Sequence, residues 1–410
     1  MYQLSPGRER SLLWLLAATQ FTLIMDFMVM MPLGPQIMHA FQIGPAKFAT
    51  AVSAYSICAG FSGLFAATYI DRFDRRRLML VIYSLFTLSN LACATAPSFE
   101  MLLASRAFAG ITGGVMGTII LSIVGDVIPV SRRGAATGVV MTAFSVAAVA
   151  GVPAGIVLGA KFGWSSAFYL LVVFSALVLG LAYWLVPSLR EHLSKRPVPL
   201  SQVLPNLMGV IFEPAHLRAF ILIFIMLVSQ MMVIPFISPV LVANYGVQPQ
   251  QISWIYMAGG AATFFTSRRV GVLADRFGKH FVFRVLCVLS LIPILTITHL
   301  PHLPFWGLVV FFPFFMVIVS GRIIPLQALL TTVPEPARRG AFLSVNSGIM
   351  SLGTGTGAWV GGLLLSTSVQ GHIDGYGGNG WCAAALVLAA VAWVSQVKSM
   401  PSPEPAPAAS

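Results

Sequence analysis

Charge is scarce in this chain. Of its 410 residues, 9% are charged and 57% hydrophobic. A water-soluble domain carries about 25% charge, so a water-facing globular fold is excluded. Acidic residues are scarcest, twelve against 24 Lys and Arg. The four cysteines (Cys58, Cys93, Cys287, Cys382) lie in apolar runs without metal-ligand spacing and read as small buried hydrophobes. No P-loop is present, because Gly278-Lys279 is followed by His280; an ATP-driven pump has no support. The seven histidines fall in loops or at the ends of apolar runs, so no catalytic constellation, metal site or cofactor motif emerges and the chain does not read as an enzyme.

What the chain has is long apolar runs. A bilayer core takes roughly 20 residues per helix, and the runs are too long and too continuous for barrel strands of about ten residues. Glycine, proline and charge punctuate them into spans at 11–33, 47–70, 78–96, 101–124, 135–159 and 165–186, then 219–243, 251–273, 281–299, 305–330, 341–366 and 380–397. Because many runs follow the first, it acts as a span rather than a cleaved signal peptide.

A charged loop recurs half a chain apart. Ile70-Asp71-Arg72-Phe73-Asp74-Arg75-Arg76-Arg77 returns 204 positions later as Ala274-Asp275-Arg276-Phe277-Gly278-Lys279-His280. Pro129-Val130-Ser131-Arg132-Arg133-Gly134-Ala135 is echoed by Pro334-Glu335-Pro336-Ala337-Arg338-Arg339-Gly340-Ala341, and a glycine-rich span follows each copy. Those glycines permit close helix packing or a sliding contact between halves. The expected fold is an all-α membrane protein of twelve transmembrane helices in two pseudo-symmetric six-helix bundles. The bundles cover 1–186 and 219–397, with a linker at 187–218 that can hold a short surface helix. Residues 398–410 form a proline-rich tail expected to be disordered.

Basic residues set the orientation. Lys47 and Lys161 fall on one side, Arg106 and Arg322 fall inside spans, and the other twenty of the 24 lie on the opposite side or at its helix ends. That side is expected to be the cytoplasm, with both termini in it. The asymmetry accounts for the net charge of +12 without nucleic acid.

Twelve spans in two repeated halves resemble the major facilitator superfamily, whose loop motif is roughly G-x-x-x-D-R-x-G-R-R. The second copy is similar through Gly271, Asp275, Arg276, Gly278 and Lys279. The first keeps Asp71, Arg72, Arg75, Arg76 and Arg77 but has Ala67 and Asp74 in place of glycines. Arg106-Ala-Phe-Ala-Gly110 resembles the R-x-x-x-G motif of the twelve-span drug:proton antiporter and sugar-efflux branch, and Gly151-Val-Pro153-Ala-Gly155-Ile-Val-Leu-Gly159 resembles its antiporter motif. The resemblance implies a monomeric secondary transporter of the bacterial inner membrane. It would work by alternating access, exporting a small drug- or sugar-like molecule against a proton gradient without a cofactor. A proton symporter or facilitative uptake carrier of the same fold is the alternative.

Asp26 is the one carboxylate well inside a span. A charge at a helix centre costs about 2.5–3.5 kcal/mol to insert. Burial favours the protonated form of a carboxyl and a neighbouring guanidinium the ionised form, so Asp26 is the candidate proton site and Arg106 its natural partner. Arg322 has no intramembrane carboxylate in its own half; it is expected either to bind an anionic substrate group or to reach the surface. Gln20, Thr22, Met30, Gln230, Met231, Phe236 and Gln327 are candidate cavity residues, near Pro32, Pro35, Pro235, Pro239 and Pro325, which should break their helices. Met25, Met28, Met30 and Met31 read as adaptable apolar lining rather than a metal site. Asp71, Arg72, Arg75, Asp126, Asp275 and Arg276 are candidates for a cytoplasmic gate, with Asp71 expected to cap a helix of the opposite half and Asp126 to pair with Arg75 or Arg76.

Overall fold

Proline accounts for four breaks in the long spans, although Pro293 and Pro313 sit inside helices that continue through them. A proline has no N–H for the carbonyl four residues earlier, and its ring collides with that carbonyl. The computed structural model describes residues 5–398 except 130, 131, 191, 192, 194–199, 302, 336 and 337. In it, α1 (Pro6–Val29) stops ahead of Pro32 and Pro35, and the chain resumes as α2 (Gly34–Phe41). The seventh span divides around Pro235 into α10 (Pro214–Met231) and α11 (Ile237–Tyr245). The tenth divides into α14 (Phe305–Gly321) and α15 (Ile323–Leu330). Its break falls at Arg322 rather than at Pro325, because Pro325 leaves the carbonyl of Gly321 unserved. In the fifth span Pro153 acts likewise on Val149. Ala147–Gly151 widens into a π turn between α6 (Arg133–Val146) and α7 (Val152–Phe162).

The remaining helices are α3 (Pro45–Tyr69), α4 (Arg75–Ala94), α5 (Phe99–Val127), α8 (Ser165–Leu185), α9 (Leu200–Ile211), α12 (Pro249–Phe277), α13 (Lys279–Thr298), α16 (Arg339–Leu363) and α17 (Tyr376–Trp393). The linker expected at 187–218 contains α9, but part of it, with Lys195 and Arg196, lies outside the described residues, as does the tail beyond Lys398. Among the described residues, ten helical spans are long and apolar enough to cross a membrane. The other two of the twelve expected, α12 and α16, have 29 and 25 residues but are less apolar. Both pack against helices of the other half, α12 on α7 and the π turn and α16 on α3, so they need less lipid-facing surface.

Glycines in α16 serve two faces. A Cβ built on Gly353, Gly357 or Gly361 would meet α10 and the turn after it, through Leu227, Val228 and Met232. One built on Gly348, Gly355 or Gly362 would meet Leu64, Ile57 and Ala49 of α3. The first set, spaced by four, closes the second half on itself. The second, spaced by seven, lets the halves touch. In the first half Gly151, Gly155 and Gly159 all face the first span, at Phe21, Val29 and Leu33, so those three are internal packing.

One membrane face is tightly closed between the halves. A Cβ on Gly34 would lie 2.9 Å from Pro239. Nearby, β1 (Ser366–Thr367) and β2 (Ile373–Asp374) form a short antiparallel hairpin. The Asn244 side chain donates to the Ile373 carbonyl (2.9 Å) and accepts from its N–H (2.8 Å). The broken seventh span is satisfied from α17: Asn379 donates to the Met232 carbonyl (2.8 Å) and Tyr376 to that of Val233 (3.0 Å). Freed backbone carbonyls inside a bilayer need such partners.

Candidate functional site

Within the first half, α1 and α5 bring two opposite charges together away from water. Asp26 and Arg106 are both fully buried, and Arg106 Nη1 donates to Asp26 Oδ1 at 2.5 Å. The same nitrogen lies 3.4 Å from the Asp26 backbone carbonyl. The guanidinium sits over the Tyr55 ring, 4.5 Å from its centroid, and 6.0 Å from that of Phe168. Tyr55 is in turn fixed by its hydroxyl, which donates to the Leu23 carbonyl (3.3 Å), and by stacking on Phe27. Three polar atoms of the pair, Asp26 Oδ2, Arg106 Nε and Arg106 Nη2, have no hydrogen-bond partner among the described residues. The pair is therefore fully buried and only partly satisfied, a state in which the proton content of Asp26 decides whether two charges or one remain.

The other candidates divide. Thr22 is buried, donating to the Thr19 carbonyl and lying 3.0 Å from the Tyr83 hydroxyl, so it faces α4 inside its own half. Met30 is fully buried at the break after α1, and Gln20 is partly buried. Met231 and Phe236 lie against Gly357 and against Gly361 and Gly362, as helix packing. Gln230 is partly buried with its Oε1 unpartnered. The Gln327 amide points at the thioether of Met350 (2.9 Å), which Asn346 also approaches (3.5 Å). Arg322 does not reach the surface: it is fully buried.

On the arginine-rich face, Arg75 is the organiser. Its Nη2 meets Asp71 at 2.5 Å, its Nε meets Asp126 at 2.9 Å, and its Nη1 donates to the Ile70 carbonyl. Asp71 thus takes a partner from its own half, in place of the helix start of the opposite half expected for it, because the short turn at Ile70–Arg72 aims it back along α4. Arg72 is exposed on the same loop; Asp275 is exposed at the end of α12, with the Arg276 guanidinium over Phe277. The further pair Arg132 with Glu9 also joins residues of a single half, and Arg338 pairs with Glu213 at the end of the linker that leads into its own half.

Asp74, where the superfamily motif has glycine, is the residue sequence reasoning missed here. It caps α4 by accepting from the Arg76 N–H (3.0 Å) and anchors the linker through Ser188 (2.7 Å), Arg190 (2.9 Å) and the Leu189 N–H. Burial works to raise its pKa, but the hydrogen bonds from Ser188, Arg190, Arg76 and Leu189 together hold it below the usual carboxylate value. Its place immediately before Arg75 was a readable capping signal. Tyr55 gave none, being one aromatic among many in apolar runs.

The helical architecture is that of a polytopic membrane carrier. The sequence model of the Major Facilitator Superfamily matches residues 16–227 and 219–410, and the chain belongs to that family. An uncharacterized MFS-type transporter of Mycobacterium tuberculosis is 32% identical over 180 residues, 44% of this chain; the match spans 31% of that protein, under a third of its length. A probable sugar efflux transporter of Helicobacter acinonychis is 25% identical over 363 residues, 87% of each chain. Among solved structures, a bacterial homologue of the human lysosomal transporter Spinster, in an inward-facing and occupied conformation, superposes with a TM-score of 0.76 at 16% identity, covering 96% of this chain and 97% of that one. The protein is accordingly an integral membrane transporter that handles a small-molecule substrate within the bilayer, not an enzyme.

Proposed function

We propose that this transporter exports a small organic molecule in exchange for protons, by alternating access between bundles 1–186 and 219–397 hinged on the linker 187–218. The carrying observation is the buried, incompletely satisfied Asp26–Arg106 pair. Protonating Asp26 removes the negative charge that holds Arg106, so proton uptake and a change of helix contact are one event. The export direction draws on the relatives named as probable sugar efflux transporters and on the Arg106 and Gly151–Gly159 motifs.

Gln20, Thr22, Met30, Gln230, Met231, Phe236, Arg322 and Gln327 belong to the first, seventh and tenth spans, between which the substrate is held. The basic face lies in the cytoplasm of a bacterial inner membrane, with both termini there, and the protein works as a monomer. On that face Arg75 keeps Asp71 and Asp126 within one half, while the opposite face is closed at Gly34 and Pro239. This supports an inward-open resting state, in which Asp71, Arg72, Arg75, Asp126, Asp275 and Arg276 form the cytoplasmic gate only after closure.

The test is a substrate screen by thermal shift on purified protein, repeated with Asp26→Asn. Hits are then carried into proteoliposomes with a lumenal pH dye. An exchanger and a symporter move lumenal pH in opposite directions when substrate is added. Substrate flux that leaves lumenal pH unchanged, or full coupling in Asp26→Asn, refutes the reading.

A further inference from the structure

Arg322 is a guanidinium inside the second half with no carboxylate beside it among the described residues. It is fully buried, eight residues from the end of α15 at Leu330, about 12 Å along a helix axis. Its Nη1 donates to Ser290 Oγ on α13 (2.9 Å), while Nε and Nη2 have no partner among the described residues. The described carboxylates of the second half are Glu213, Asp275, Glu335 and Asp374, and none of them is buried. A buried charge without a counter-ion is strongly unfavourable, and an ionisable residue inside the membrane marks function by default.

The pattern of satisfaction is specific. Nε–H and the adjacent Nη2–H of a guanidinium point in parallel along one edge, the edge that takes both oxygens of a carboxylate. Ser290 occupies the other nitrogen and leaves this edge free. The helix break produced by Pro325 puts Arg322 at the one residue between α14 and α15, where a backbone hinge can uncover the side chain. We propose that Arg322 is a carboxylate-binding subsite: the transported molecule, or a co-transported small anion, carries a carboxylate that docks two-pronged on Nε and Nη2. This deepens the carrier reading and rests on it in one respect, that alternating access opens a path to Arg322.

Thermal unfolding of the purified full chain tests it with sodium benzoate and sodium gluconate as probes. Methyl benzoate, glucose and sodium chloride at matched ionic strength are the controls. The expected result is a saturable rise in midpoint with the carboxylates alone. Arg322→Met abolishes that rise yet unfolds at a higher temperature than the wild type in chloride, because an unpaired buried charge has been removed. Arg322→Lys keeps the charge but not the paired edge, and its apparent affinity falls about tenfold or more, the equivalent of about 1.4 kcal/mol. Equal shifts with benzoate and methyl benzoate overturn the proposal. So does an Arg322→Met variant that binds carboxylates as the wild type does, or one that is destabilised while the wild type ignores both carboxylates. Spin-label distances between α3 and α16 separate the two readings: a wild type that binds neither carboxylate while its halves still interconvert loses the subsite and keeps the carrier.

Discussion

Replacing Asp26 by asparagine removes the one negative charge beside a guanidinium that has no exposure to water. Arg106 would then keep the Asp26 backbone carbonyl at 3.4 Å and the Tyr55 ring at 4.5 Å. Removing one member of a buried pair costs about 3–5 kcal/mol, and the contact with the Tyr55 ring, present before and after the substitution, offsets none of it. The single variant should therefore lose about 3–5 kcal/mol. The double variant Asp26→Asn/Arg106→Met should recover most of it, since a buried pair exchanged for apolar volume is often neutral or stabilising. At about 2–4 °C per kcal/mol for a unit of 150–250 residues, the single variant should melt roughly 6–20 °C below the wild type and the double well above the single. The assay is thermal unfolding in detergent across the four-member cycle. A double variant no more stable than Asp26→Asn alone would refute the reasoning, because Arg106 would then not be a charge stranded in a buried site.

Three further outcomes follow from the packing and the loop. Gly355→Val pushes a side chain onto Ile57 and Ser53 of the opposite half and should widen the α3–α16 distance in spin-label measurements, whereas Gly117→Ala, with open space at its Cβ, should be neutral or stabilising by up to about 1 kcal/mol. Asp74→Asn should leave the α4 cap in place, since Asn caps a helix as well as Asp does, but it should weaken the charge-assisted bond from Arg190 and speed amide exchange at Ser188 to Arg190. Because the pKa of Asp74 is lowered in the folded state, its contribution is present above the ordinary carboxylate pKa of about 4 and is lost as pH falls through its own lower value. Acid should thus release the linker in the wild type and have little additional effect at that site in Asp74→Asn. Tyr55→Leu should cost about 2 kcal/mol through the lost ring beneath the desolvated Arg106, and that part of the cost should vanish when Arg106 is also methionine, leaving the part that comes from the lost bond to Leu23.

Span positions were legible because lipid demands continuous apolar helices; α12 and α16, which read least clearly in hydropathy, both pack on the other half, as their partners α7 and α3 also do. Proline announced the breaks, yet the backbone opens one turn before it, which puts Arg322 rather than Pro325 at the gap in the tenth span. The glycines of α16 could not be sorted from sequence, since spacing by four and spacing by seven overlap in one run and only the neighbours separate them. Asp26 and Arg106 stood out by scarcity, and their helices hold them 2.5 Å apart; the Tyr55 ring beneath them did not. Asp71 meets Arg75 of its own half, because a three-residue turn decides which way a loop carboxylate points, and neighbouring charges in sequence carry no such information.

The central claim is that a proton resides on Asp26 in one state of the cycle. Infrared difference spectra of the lipid-reconstituted protein, taken between high and low pH, test it without knowledge of the substrate. A protonated-carboxyl carbonyl band is expected that grows on acidification, disappears in Asp26→Asn and persists in Asp71→Asn. An unchanged band in Asp26→Asn, or none at any pH where transport varies, would contradict it.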